Sequence, residues 1–342
     1  MSDQPGTAIV GLAGCGVTGS RVAAHLLAAG HRVAVHDPLA GTAGTRVAVP
    51  KGAVRVDQPA DLLAADLVVL CQPRPHRPVV VDAIRAGVPV VTLGDDLDDV
   101  RSIAHLDGMA REHDATVVVG AGMAPGLSGL LARMLAGSLD VIDEMHVAVH
   151  GTAGPECARQ HHDALGSRAY GWHDGSWVEP LGGSGRELVW FPEPIGAHDC
   201  YRAAMADPLL LQRAFPSAGR ISARMSATRR DRLTARLPML TPPHPSGDLG
   251  AVRVEVRGAL ADGARETVIA GAAGMTADLA SAVGAATVLE LLAARTGQRP
   301  GVPAGVLSLA DSELESLGVL HRAASFGVAV QEFTGVARIT HW

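Results

Sequence analysis

Hydrophobic and polar positions change their period partway along the chain. Over the first 137 residues, short continuous apolar runs alternate with stretches of helical spacing. Ala8–Leu12, Leu67–Cys71, Val88–Leu93 and Thr116–Val119 are such runs. Runs of this kind mark strands covered on both faces by helices. Arg32–His36 alternates strictly and ends at Asp37-Pro38, and Ala53–Val56 reads as a third strand. Between them, Arg21–Ala29, Pro78–Ala86 and Asp98–His113 carry apolar residues at helical intervals. Strand–helix alternation at this spacing predicts a parallel, doubly wound sheet. A further helix begins near Ser128, with Leu127, Leu130, Leu131, Met134 and Leu135 forming one buried stripe.

Beyond residue 137 the alternation tightens to every second position. Ala251–Arg257 has one apolar and one polar face, and Asp262-Gly263 predicts a hairpin turn into Glu266–Ala270. Met145–Val149 and Leu188–Phe191 are further strands of an antiparallel or mixed sheet. Thr276–Arg295 predicts a long helix whose only charges are Asp278, Glu290 and Arg295, so it must be buried on most sides. The tail from Arg299 predicts a helix near Ser312–Ser325 and a strand at Val328–Phe333. The expected fold class is α/β: an N-terminal Rossmann domain (1–137), an α+β substrate and dimerisation domain (138–274), and a returning helix with a C-terminal segment packed on the first domain (275–342).

The glycines after the first strand change the picture from fold to chemistry. Gly14-Cys15-Gly16-Val17-Thr18-Gly19 fits G-x-G-x-x-G between a strand and a helix. The first glycine permits the tight turn, the second lets backbone approach a diphosphate, and the third lets helix and strand pack closely. The helix N-terminus adds unpaired N–H groups and partial positive charge. Asp37, at the end of the next strand, would accept hydrogen bonds from a ribose 2′-OH and repel a 2′-phosphate. Arg46 is the next arginine, so NAD(H) is favoured over NADP(H). Pro38, Gln72 and Pro73 follow strand ends on the same edge. Gly122 and Met123, in the loop Gly120–Ser128, are expected to wall the nicotinamide pocket.

Composition adds exclusions. The chain has 342 residues, a net charge of −6 and 47% apolar residues. An acidic chain without a concentrated basic face is a poor nucleic-acid binder. Cys15, Cys71, Cys157 and Cys200 are dispersed without a CxxC, which suits a reducing compartment, the cytoplasm. Met1–Thr7 shows no signal-peptide pattern. The longest uncharged stretch, Thr116–Ala132, is broken by four glycines and Pro125, so no membrane span of about 20 apolar residues is expected. Lys51 is the only lysine. The expected partners are a small-molecule substrate and a second copy of the chain, met through the exposed face of the second sheet.

Hydride transfer also needs a proton donor. His198, Asp199 and Tyr201 cluster after a glycine turn, with Asp199 as a helix cap the alternative reading, and His150 ends a strand. Arg224 or Arg229 would hold a substrate carboxylate or phosphate, although Arg220–Arg236 also reads as a solvated amphipathic helix with Leu233 and Leu237 inward. Trp172, Trp177 and Trp190 would line an apolar pocket or fill core. No metal site is expected: His161 and His162 are adjacent and cannot share a helix face, and no CxxC, HxxE or carboxylate pair accompanies them.

The Gly14–Gly19 loop, the stretch Gly120-Ala-Gly-Met-Ala-Pro-Gly-Leu-Ser128 and Val189-Trp-Phe-Pro-Glu-Pro-Ile-Gly196 together resemble the saccharopine-dehydrogenase-like oxidoreductases. The resemblance implies a glyceraldehyde-phosphate-dehydrogenase-like two-domain arrangement and nicotinamide-linked redox chemistry at a C–N bond. It departs at lysine, since saccharopine enzymes use lysine and histidine acid/base groups and Lys51 precedes the third strand. Two other functions remain open. A semialdehyde dehydrogenase of the same plan would need a nucleophilic cysteine, for which Cys157 is the candidate. An NAD(H) sensor would bind without turnover.

Overall fold

The computed structural model describes residues 7–41, 47–240, 242–333 and 337–340. The expectations for residues 1–6 and for Arg46 lie outside them.

The N-terminal part alternates as its pattern requires. Strand β1 (Ile9–Ala13), helix α1 (Val17–Ala28), β2 (Arg32–His36), β3 (Val54–Arg55), β4 (Leu67–Leu70), α2 (Arg77–Arg85), β5 (Val90–Thr92), α3 (Leu97–Ala104), α4 (Asp107–Glu112), β6 (Thr116–Val118) and α5 (Leu127–Ala136) follow in turn. The stretch 98–113, expected as one helix, is two, because the chain turns at His105 and Leu106. β4 and β5 are buried throughout, which explains their runs of Leu and Val; the one polar residue, Thr92, accepts from the Gly120 N–H at 3.2 Å. The sheet runs β6-β5-β4-β1-β2-β3, every pair parallel. Its order reverses between β4 and β1, beside the glycine loop.

The second part contains β7 (Val141–His150), α6 (Pro155–Gly166), β8 (Gly171–His173), β9 (Ser176–Val178), β10 (Glu187–Phe191), β11 (Gly196–Arg202), α7 (Asp207–Ala214), β12 (Arg220–Ser226), α8 (Arg229–Thr234), β13 (Leu249–Ala259) and β14 (Arg265–Met275). Then come α9 (Thr276–Arg295), β15 (Gly305–Leu307), α10 (Val319–Ser325), β16 (Val330–Phe333) and β17 (Ala337–Thr340). The second sheet runs β10-β11-β12-β7-β13-β14-β16-β17, with β8 and β9 beside β12. It is mixed, since β12 and β7 are parallel and the other pairs antiparallel. The last segment serves both sheets: β15 extends the first beyond β6, and β16 pairs with β14.

Two expectations fail here. Residues 220–236 are not one amphipathic helix. Arg220–Ser226 is a strand, and Leu233 and Leu237 are exposed rather than inward. Thr276–Arg295 is, after all, a helix long and apolar enough to cross a membrane. Its apolarity has another use here, because most of its residues are buried against α1, α10 and the sheets. Glu290, fully buried in it, is answered by Arg299 at 2.7 Å and by Arg322, as a buried carboxylate requires.

Candidate functional site

The glycine loop has the conformation its sequence demands. Gly14 has φ +87°, and a Cβ there would sit 2.5 Å from the Gln72 backbone nitrogen. A Cβ on Gly19 would meet the Gly14 carbonyl oxygen at 2.0 Å, so helix and strand touch at that point. Gly16 differs, with nothing within 4 Å of the position a Cβ would take. That open backbone, followed by the uncapped N-terminus of α1, can hold a diphosphate. Val17 and Thr18 begin the helix. The residues present fit a dinucleotide.

Asp37 closes β2 and is 8% exposed. Its Oδ2 accepts from the Cys15 N–H at 2.7 Å and its Oδ1 from the Leu39 N–H at 2.8 Å. The carboxylate thus braces the loop while each oxygen keeps a lone pair. Pro38 follows it directly. Gln72 and Pro73 leave β4, and the Gln72 carbonyl accepts from Nε2 of buried His76 at 2.8 Å. Asp99 pairs with the other ring nitrogen of His76 at 2.5 Å, fixing the loop. Gly122 and Gly126 close the Gly120–Ser128 loop upon itself. Met123 is buried in the core, while its neighbour Ala124 lines a cavity with Asp95, Arg74, Arg101, Tyr170 and His161.

The polar centre of the cleft comes from residues that sequence reasoning had not combined. Asp95 follows β5, at the carboxyl edge of the first sheet. Cys157 and His161 lie one turn apart on α6, whose N-terminal end abuts the glycine loop: a Cβ on Gly154 would lie 3.0 Å from Val17. Cys157 Sγ is 3.7 Å from His161 Nε2 and 3.9 Å from Asp95 Oδ2, and His161 Nε2 is 3.3 Å from Asp95 Oδ2. Burial works against a charge on His161, but the Cys157 sulfur and the Asp95 carboxylate outweigh it and raise its pKa well above the usual imidazole range. His162 points elsewhere, its Nε2 2.7 Å from the Leu237 carbonyl oxygen. Behind the cleft, Asp207 is almost fully buried, and Ser128 donates to its Oδ1 at 2.5 Å. Burial pushes this carboxyl up to about 6.

The expected proton-donor group does not assemble. His198, Asp199 and Tyr201 lie on β11 rather than at a helix cap, and successive strand residues point to opposite faces. Tyr201 is buried in the core, with the Arg232 guanidinium 5.3 Å from its ring centre. Asp199 pairs with Arg186 at 2.9 Å. His198 joins His150 on the face away from Val149 and Met225, with ring centres 4.2 Å apart, and Ser226 Oγ is 2.8 Å from His150 Nδ1. Arg224 is held by Glu187 at 2.8 Å and by the Gly185 carbonyl oxygen, and Arg229 is exposed at the start of α8. Trp172 and Trp177 form an aromatic group with Tyr170, while Trp190 is 62% exposed on β10. Lys51 is exposed before β3.

Arg74, Arg101 and Arg168 line the cavity beside Asp95 and His161. Arg74 pairs with Asp96 at 2.9 Å, and the Arg101 guanidinium lies 4.6 Å from the centre of the Tyr170 ring. Their signal in the sequence was position alone, Arg74 in the loop after β4 and Arg101 on α3, the helix that follows β5.

No family model matches this chain, and no curated protein does. Solved structures do. Saccharopine dehydrogenase (L-Glu forming) from Saccharomyces cerevisiae is 16% identical, with 97% of this chain and 100% of that chain covered and a TM-score of 0.66. A mutant meso-dapdh from Clostridium tetani is 13% identical, with 90% and 95% covered and a TM-score of 0.50. The chain therefore has the fold of saccharopine dehydrogenase, a parallel dinucleotide-type sheet joined to a mixed second sheet with the cleft between them.

Proposed function

We propose that the chain is a nicotinamide-dependent oxidoreductase that reduces an imine, or oxidises the corresponding amine, of a small anionic metabolite. The Asp95–Cys157–His161 group carries this reading, because it sits at the carboxyl edge of the dinucleotide-type sheet, where ligands of such folds bind. When bound, the nicotinamide supplies or accepts the hydride at the substrate carbon. His161 is held protonated by its two neighbours and gives its proton to the substrate nitrogen; Asp95 and Cys157 then face a neutral imidazole that regains a proton from solvent. Arg101 and Arg74 orient the substrate carboxylate, in the place first assigned to Arg224 or Arg229. Asp37 favours an unphosphorylated ribose, hence NAD(H) over NADP(H).

Calorimetry with NADH and NADPH, followed by NADH oxidation over a panel of 2-oxo acids with amines, tests this. Uptake of NADH with turnover of a carboxylated imine is expected. No uptake of either dinucleotide would overturn it.

Cys157 beside His161 favours one second reading, oxidation of an aldehyde through a thiohemiacetal on the sulfur. Cys157→Ser decides between the two. Retained imine turnover supports the first, and complete loss with aldehyde oxidation in the unaltered chain supports the second.

A further inference from the structure

Cys157, His161 and Asp95 offer one sulfur, one nitrogen and one oxygen, and these atoms lie within 4.8 Å of one another. Around tetrahedral zinc, bonds of about 2.3 Å to sulfur and about 2.0–2.2 Å to nitrogen and oxygen set the distances between ligand atoms. Those distances come to about 3.6 Å for sulfur–nitrogen, about 3.4 Å for nitrogen–oxygen and about 3.6 Å for sulfur–oxygen. The three separations here are 3.7, 3.3 and 3.9 Å. Each agrees to within a few tenths of an ångström, before any side chain moves.

The supports of the three ligands are firm. Cys157 and His161 are four residues apart on one face of a twelve-residue helix, a spacing that brings side chains together. Asp95 leaves the buried strand β5 and is followed by Asp96, whose side chain caps α3 by accepting from the Asp99 N–H. His161 borders two cavities, and Met225 borders both with it. Asp95 borders the second of these cavities as well, so two of the three ligands face open space and leave room for a fourth ligand from solvent. Three protein ligands with one open position is the arrangement of a reactive or exchangeable zinc, not of a closed structural one.

We propose that Asp95, Cys157 and His161 form a site for a thiophilic divalent cation, zinc in chemical class, and that an ion bound there stops turnover. Binding displaces the Cys157 thiol proton and the His161 ring proton, and both go to solvent. The sulfur, nitrogen and carboxylate oxygen then each give a lone pair to the ion, and no redox change is involved. His161 so ligated has no proton to give. That consequence rests on the role assigned to His161 above; capture of the ion does not.

The test uses the full chain, stripped with a chelator and titrated with Co²⁺ and with Zn²⁺ alone, without dinucleotide or substrate. One equivalent of Co²⁺ should bind with a thiolate-to-cobalt charge-transfer band and the intense d–d absorption of tetrahedral cobalt, and Zn²⁺ should displace it. Cys157→Ser should remove the charge-transfer band, and His161→Ala should weaken binding by at least tenfold. Asp95→Asn, which keeps the shape of the side chain, should weaken it less. Proton release should strengthen binding as pH rises. Absence of a charge-transfer band in a chain that still takes up dinucleotide overturns the site, as does an unchanged cobalt spectrum in Cys157→Ser. Inhibition is read separately: zinc that binds yet leaves turnover intact overturns the inhibitory role and counts against His161 as donor, while the cobalt spectrum still supports the site.

Discussion

Two histidine groups lie on opposite sides of the same second-domain sheet. His150 and His198 stack on its far face beside Ser226, while His161 sits with Cys157 and Asp95 in the cleft. The first group looked promising because three polar residues fall within four positions of the chain. On a strand that proximity disperses them, since a period of two sends His198 and Tyr201 to opposite faces. On a helix, residues four apart converge, so Cys157 and His161 meet across a gap that looks unremarkable in the sequence. Nearness along the chain is therefore evidence of a site only once the local period is known.

The sharpest way to break this contrast is to remove one histidine from each group. His161→Gln should lower kcat by about 10²–10⁴-fold, the usual worth of a positioned proton donor, with NADH affinity unchanged. His198→Gln should stay within about twofold, like other changes outside a site. Steady-state kinetics with calorimetric NADH binding reads both. Equal losses would mean that the far face belongs to the active site. Because its neighbours raise the pKa of His161, imine reduction should persist through neutral pH and decline as pH rises through that higher value. Asp95→Asn should shift the decline to lower pH.

The cleft side also buries an acid. The Asp207 carboxyl, pushed up to about 6, holds its proton more tightly in the folded than in the unfolded chain. Its contribution to stability is complete below about pH 4 and is lost as pH rises through about 6. The loss is about 3 kcal/mol. Asp207→Asn should gain that much relative to the unaltered chain between pH 4 and pH 7.5, measured by urea unfolding at each pH. A difference independent of pH would show that this carboxyl ionises without cost.

How much of this was legible follows from how far each feature reaches along the chain. The glycine loop was readable because its parts, a turn, a close approach and a helix start, fall within six residues. The buried strands were readable because burial on both faces leaves no room for polar residues. The cleft was not. Asp95 and His161 are 66 positions apart, and only the approach of α6 to the loop after β5 joins them. The orientation of Met123 was hidden for a similar reason: its loop folds back upon itself, so that side chain is buried while Ala124 borders the cavity. The arginines of β12 drew attention by their number, yet strand pairing commits Arg224 to Glu187.

That commitment gives a smaller test of the same contrast. Arg101→Ala should raise KM for a carboxylated substrate by about 10–100-fold with kcat little changed, the signature of lost uniform binding through a charged hydrogen bond. Arg224→Ala should leave KM alone and lower the melting temperature, since it strips partners from Glu187 and Gly185. The reverse pattern would return the substrate to the far face of the sheet.

The smallest expected effect concerns Asp199, whose placement first suggested a catalytic group. It bonds Arg186, a side chain 59% exposed. Solvent screens an ion pair with so exposed a partner, and it contributes little. Its Oδ1 is buried without a hydrogen-bond partner, so an amide there loses little. Asp199→Asn should therefore change stability by less than about 1 kcal/mol and leave kcat, KM and the pH profile where they were. An acid or base acting on substrate could not be neutralised so quietly. A profile that loses one limb in Asp199→Asn would place the proton donor on β11 and leave the Asp95–Cys157–His161 group without a part in the reaction.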